Sequence, residues 1–106
     1  MRAALARHDL LLCPTAHQAA PPIAAARGAI TGRHEVAGRF FTRRSYVTPA
    51  ALAGTPAIVL PCGFTRDGLP LSFQLLSRAF DEATLLSAAR AYEQGTDWSR
   101  RRPPLA

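Results

Sequence analysis

The sequence contains no lysine: its 13 cationic residues are all arginines, set against seven acidic ones for a net charge of +6 over 106 residues. That absence excludes a lysine-bearing phosphate loop, and Gly63 and Gly68 lack the glycine spacing of one as well. Cysteine is also scarce. Cys13 and Cys62 each close an apolar run, far apart, in a spacing that suits neither a metal knuckle nor a redox pair. Their strand-like surroundings, LLLC and IVLPC, predict buried free thiols, since cysteine packs as a small hydrophobe. No apolar run approaches the length of a membrane span. Arg7, His8 and Asp9 interrupt the N-terminus before any stretch reaches signal-peptide length, so a reducing, cytoplasmic setting is the expectation.

What is present suits one small globular unit. Hydrophobic residues make up 48% of the chain, but many are alanines, so the large side chains must supply most of a modest core. The arginines are scattered, with runs only at Arg43–Arg44 and Arg100–Arg102. Arginine holds phosphate and carboxylate in a bidentate way, so such a surface has some affinity for nucleic acid or acidic ligands. No RNA- or DNA-reading motif accompanies it, and a generally solvated basic surface is the better reading.

Residues 2–8, RAALARH, have helix-forming composition without a capping residue, and read as the last turns of a helix whose beginning is absent. LLLC at 10–13 then suits a strand covered on both faces. From Pro14 to about Ser45 the pattern dissolves into a loop, with a short helical piece at 34–41 at most. Loops above about 12–15 residues are usually functional or disordered. Order returns with TPAALAG, a short helix with Thr48 as N-cap, Pro49 at its first position and Gly54 as terminator. AIVLP at 57–61 predicts a central, buried strand whose pairing Pro61 ends. Asp67–Gly68 supplies a reversal into an antiparallel strand at 69–76, where Leu69, Leu71, Phe73 and Leu75 share one face and Ser72 and Gln74 the other. A final helix spans 81–94, with Asp81 as N-cap, Leu85, Ala88, Ala89 and Tyr92 at helical spacing, and Gly95 in the left-handed closing position. Residues 96–106 form an exposed tail anchored by Trp98.

Chemistry is hard to place on these residues. A serine hydrolase needs a nucleophile beside a base and donors for the oxyanion. None of Ser45, Ser72, Ser77, Ser87 and Ser99 lies in a G-x-S-x-G elbow or a glycine-rich serine loop. His8, Cys13 and His17 are separated by a strand and a proline, so no metal site is assigned, and His34 stands alone. Cys62, between Pro61 and Gly63, is the most tempting nucleophile, yet no base can be assigned to it and a structural thiol is the simpler reading.

Taken in order, DLLLCPT at 9–15, LAGTPAIVLPCGFTRDGLPLSFQLLSRAFDEATLL at 52–86 and TDWSRRRPP at 96–104 resemble the C-terminal portion of the amidase signature family. The resemblance covers almost the whole chain apart from its middle loop. It implies an α/β fold: a fragment of the amidase signature fold with a few mixed strands and a C-terminal helix, the chain forming a single partial domain. Family members cleave carboxamides with a serine nucleophile, a bridging serine on a cis peptide and a lysine base. With no lysine here, that triad has no counterpart in this sequence, and no catalytic residue carries over. Two departures fall inside the match: Ala51 stands where the family commonly has asparagine, and Ser72 where it commonly has glycine. The loop before the short helix forms part of the family's substrate channel wall, which by resemblance brings Thr15, Tyr46 and Thr48 to the border of a pocket.

The resemblance therefore implies a scaffold segment, inactive alone, needing no cofactor. Its partner would be the missing N-terminal amidase region or a second copy of itself, because a few strands and one good helix leave a sheet edge and a helix face uncovered. A small amide substrate belongs only to the complete enzyme. The alternative is an arginine-rich, non-catalytic binding or oligomerisation module.

Overall fold

In a computed structural model of the chain, residues 1–22 and 46–102 are described, with the side chain of Ser99 excepted. The helical piece expected at 34–41, most of the 14–45 loop, His34 and Ser45 lie outside them. The described elements are α1 (Arg2–Leu5), β1 (Leu10–Pro14), α2 (Thr48–Ala53), β2 (Ala57–Phe64), β3 (Pro70–Ser77), α3 (Glu82–Gln94) and a 3-10 turn at Trp98–Arg100.

The three strands form one sheet in the order β1-β3-β2, with both pairings antiparallel. Gly68, at φ 80°, closes the β2–β3 reversal. There the Thr65 amide donates to the Leu69 carbonyl at 2.8 Å, and the Leu69 amide to Thr65 Oγ1 at 3.1 Å. A β-carbon would be strained at that φ, so the glycine fixes the turn and with it the register.

Strand position departs from expectation. β2, expected to be central, lies at an edge of the described sheet, and β3 is the central strand. Pro61 does not end β2 either: Pro61 pairs with Ser72, and pairing resumes at Gly63 and Phe64 after a bulge at Cys62. The ladder explains why. The Ser77 amide donates to the Pro56 carbonyl at 3.2 Å, so alternation turns Ile58 and Leu60 toward β3 and Ala57, Val59 and Pro61 outward. A proline facing outward from an edge strand removes no ladder bond.

The two faces of β3 separate as the alternation predicts, but from Phe73 to Ser77 both are buried, which corrects the half-buried reading. On one face α3 lays Leu85 and Ala89 against Leu60, Phe73 and Leu75, flanked by Leu10, Ile58, Ala88 and Tyr92. Burying a leucine such as Leu85 contributes about 1.5–3 kcal/mol. Tyr92 meets Phe73 edge to face, with ring centroids 5.0 Å apart, and its hydroxyl donates to the Pro61 carbonyl at 3.1 Å.

The helix ends differ in detail from the sequence expectation. Gly54 takes the left-handed conformation expected of it (φ 63°, ψ 31°), whereas Gly95 is right-handed (φ −88°, ψ −2°). The α3 terminus is satisfied without a left-handed residue, because the Gly95 amide reaches the Ala91 and Tyr92 carbonyls at 3.3 and 3.1 Å. Val47, not Thr48, occupies the N-cap of α2, and Thr48 is its first helical residue. Asp81 does cap α3, though its carboxylate accepts from Thr84 Oγ1 at 2.6 Å and makes no side-chain bond to a helix amide.

Trp98 anchors the tail as expected, its ring 6.2 Å from that of Phe64, with the Arg101 guanidinium over both rings. Arg78 ties the other end of the sheet together. Its guanidinium donates to the Leu5 carbonyl at 3.1 Å and to Asp9 at 2.9 Å, and stands 3.7 Å from Asp81. Among the described residues no helix is long and apolar enough to cross a membrane.

Candidate functional site

The face of the sheet opposite α3 carries a strip of polar groups. Antiparallel register sets Cys13 opposite Gln74 and carries Thr15 to Ser72, so these four residues share that face. Thr15 and Ser72 are joined three times. The Thr15 amide donates to the Ser72 carbonyl at 3.3 Å, Thr15 Oγ1 donates to the same carbonyl at 3.1 Å, and the two hydroxyl oxygens lie 2.6 Å apart. Ser72 thus uses the hydroxyl that distinguishes it from glycine to hold the strand that leads into the loop.

Gln74 is the polar anchor of the strip. Only 1% of it is exposed, and its Nε2 donates to the Tyr46 carbonyl at 2.6 Å and to Cys13 Sγ at 3.1 Å. A buried amide is costly unless its groups are paired, so these bonds fix Tyr46 against the sheet across 28 residues of sequence. The backbone of Tyr46 supplies the bond, and the residue itself is 43% exposed.

Of the three residues expected to border a pocket, Thr15 and Tyr46 are therefore gathered on one strip, 2.6 Å from Ser72 and Gln74 respectively. Thr48 is exposed at the start of α2 and takes no part in these bonds. Gln74 and Ser72 were not expected here. The alternation of LPLSFQLL puts them on the face away from the core, and a glutamine inside an apolar strand is the available signal.

The nucleophile candidates are placed differently. Cys62 is exposed at the β-bulge and Cys13 half-buried, so the expectation of two buried thiols fails. The bulge leaves Cys62 without a cross-strand partner, which is why an apolar run does not carry it inside. Ser77 is fully buried and its hydroxyl donates to the Arg78 carbonyl at 3.3 Å; Ser87 is exposed on α3. His8 and His17 are exposed. Among the described residues no group of three or more histidine, cysteine, aspartate or glutamate side chains could hold a metal ion.

Comparison with known proteins decides what this scaffold is. The family model described as Amidase matches residues 1–86. This chain belongs to the amidase family. Within it, the amidase chain is 42% identical over 100 residues to a glutamyl-tRNA(Gln) amidotransferase subunit from Neisseria gonorrhoeae, a match covering 94% of this chain and 19% of that protein. It is 60% identical over 58 residues to the subunit of the same name from Chloroflexus aggregans, covering 55% of this chain and 12% of the relative. The crystal structure of the corresponding subunit from Thermotoga maritima superposes with a TM-score of 0.72 at 28% identity, over 90% of this chain and 19% of the other. The amidase chain thus spans less than a fifth of these relatives' lengths, and its α/β sheet is a fragment of their fold.

Proposed function

We propose that this chain is the C-terminal scaffold segment of an amidase, a carboxamide hydrolase, and that it is inactive alone. One observation carries the reading: a chain that matches the amidase family over residues 1–86 has no lysine anywhere. The base that the resemblance assigns to family members must then come from outside this sequence, together with both serines. The serines within it support this division. Ser72 is bound to Thr15, and Ser77 is buried against its own chain.

The segment's contribution is mechanical. β3 and α3 make a rigid platform, and Gln74 and Ser72 hold Tyr46 and Thr15 where the following loop leaves the sheet. Thr15, Tyr46 and Thr48 line the substrate channel of the complete enzyme, which acts on a small amide in the cytoplasm. The relatives are named as amidotransferase subunits, and the chain's role is as one part of such a subunit, dependent on the remainder of an amidase chain.

The test is amide hydrolysis over a panel of simple carboxamides, with this chain alone and with the remainder of an amidase chain supplied. Turnover only in the combined sample is expected. Turnover by the isolated chain would overturn the reading and return attention to Cys62 and the histidines.

A further inference from the structure

The described sheet has two edges, and they are not equivalent. On β2 the outward positions are Ala57, Val59 and Pro61, as the Ser77-to-Pro56 bond dictates. Pro61 has no amide hydrogen, and its carbonyl is taken by the Tyr92 hydroxyl at 3.1 Å. Beyond it Cys62 bulges, and the Phe64 ring at the end of the strand is occupied by Trp98 and Arg101. Proline, a bulge and a covering turn are the devices by which edge strands are closed to further pairing.

On β1 the Thr15 amide donates to Ser72, so alternation turns Cys13 and Leu11 toward β3 and Leu10 and Leu12 outward. The outward run Leu10–Leu12 contains no proline, no charge and no bulge. Leu12 is 67% exposed although its cross-strand neighbour Leu75 lies in the core. Among the described residues, then, one edge is blunted and the other is left ready to pair.

We infer that the outer edge of β1, at Leu10 and Leu12, is where the sheet of a complete amidase continues, and that its occupant is an extended strand from the remainder of an amidase chain. This rests on the reading of the chain as an amidase segment. The size of the relatives supports the choice of occupant: the chain covers 19% of the Thermotoga maritima protein while superposing on it with a TM-score of 0.72, so most of that fold has yet to be joined to this sheet. Main-chain pairing at an open edge supplies the affinity, and the exposed Leu12 side chain supplies part of the apolar surface that the incoming segment buries.

Amide hydrogen exchange tests this directly. The 106-residue chain is measured alone and mixed with the Neisseria gonorrhoeae protein lacking the segment that aligns with it. In the isolated chain the Leu11 and Cys13 amides are expected to be protected and those of Leu10 and Leu12 to exchange freely. In the mixture Leu10 and Leu12 should slow at least tenfold, and Leu12→Pro, which removes an outward hydrogen and no β1–β3 bond, should weaken the complex at least tenfold.

A complex in which Leu10 and Leu12 still exchange freely, or in which Ala57 and Val59 are protected instead, overturns the edge assignment and leaves the segment reading standing. Failure to form any complex overturns both. Concentration-dependent protection of Leu10 and Leu12 in the isolated chain, unchanged by the added protein, would make the occupant a second copy and overturn the assignment to the amidase remainder.

Discussion

Replacing Gln74 separates the two things its side chain does. Gln74→Met keeps the length of the side chain and removes its amide, so the Tyr46 carbonyl and Cys13 Sγ lose the donor that reaches them at 2.6 and 3.1 Å. Leaving a buried acceptor unpaired costs about 1–3 kcal/mol. Tyr46 is 43% exposed and its carbonyl can take up water, which puts the expected loss near the lower end, at about 1 kcal/mol. Gln74→Ala removes the same donor and leaves a void at a position that is only 1% exposed, raising the loss to about 2–3 kcal/mol. Urea denaturation followed by far-ultraviolet circular dichroism reads both. With a slope of about 1–3 kcal/mol per molar, the Met variant should lower the midpoint by about 0.3–1 M and the Ala variant by two to three times as much. Trp98 fluorescence is the wrong probe, because that ring sits against Phe64 at the far end of β2. A Met variant with its midpoint at or above the parent's would show that the bonds to Tyr46 and Cys13 contribute nothing net and that Gln74 is held by packing alone.

Tyr92→Phe deletes one hydroxyl and keeps the edge-to-face contact with Phe73, so thermal melting should show a loss of about 1 kcal/mol, about 4–8 °C for a domain of this size. Leu85→Ala empties part of the core between α3 and the sheet and should cost about 2–5 kcal/mol, enough to leave much of the chain unfolded at room temperature by calorimetry. Gly54→Ala places a β-carbon at φ 63° in open space, so strain alone acts; a loss of about 1–2 kcal/mol in chemical denaturation is expected, and no change would refute it. Phe80 is 96% exposed at φ 62°, a conformation that a bulky side chain adopts at a cost, so Phe80→Asn should raise the melting temperature without altering the circular dichroism spectrum.

The hairpin, the final helix and the short helix ending at Gly54 were legible in the sequence because each is specified by neighbours in the chain: Asp67–Gly68, the 3.6-residue spacing from Leu85 to Tyr92, and a glycine after an alanine-rich turn. What escaped was set by partners far along the chain. AIVL reads as a central strand because its residues are apolar and β-branched, but whether a strand is central depends on who pairs with its other side, and β1 pairs with β3. Pro61 reads as a stop only if its missing amide is needed, and at an outward edge position it is not. The burial of Gln74 depends on Tyr46, which is 28 positions away. Of the site, Thr15 and Tyr46 were reached through family resemblance, while Ser72 and Gln74, which hold them, emerged only from the register.

The strand order has a consequence for how the sheet is made. β1 and β2 never touch through the ladder; each pairs only with β3, the last of the three in the sequence. As the chain leaves a ribosome, no strand of this sheet has a partner until residues 70–77 have emerged, so Leu10–Pro14 must wait through the synthesis of everything between. The hairpin then closes over a short turn, and β1 joins across a far longer loop, whose closure entropy grows with the logarithm of its length. Association of β1 is accordingly the later event, and the first strand made is the last to be secured.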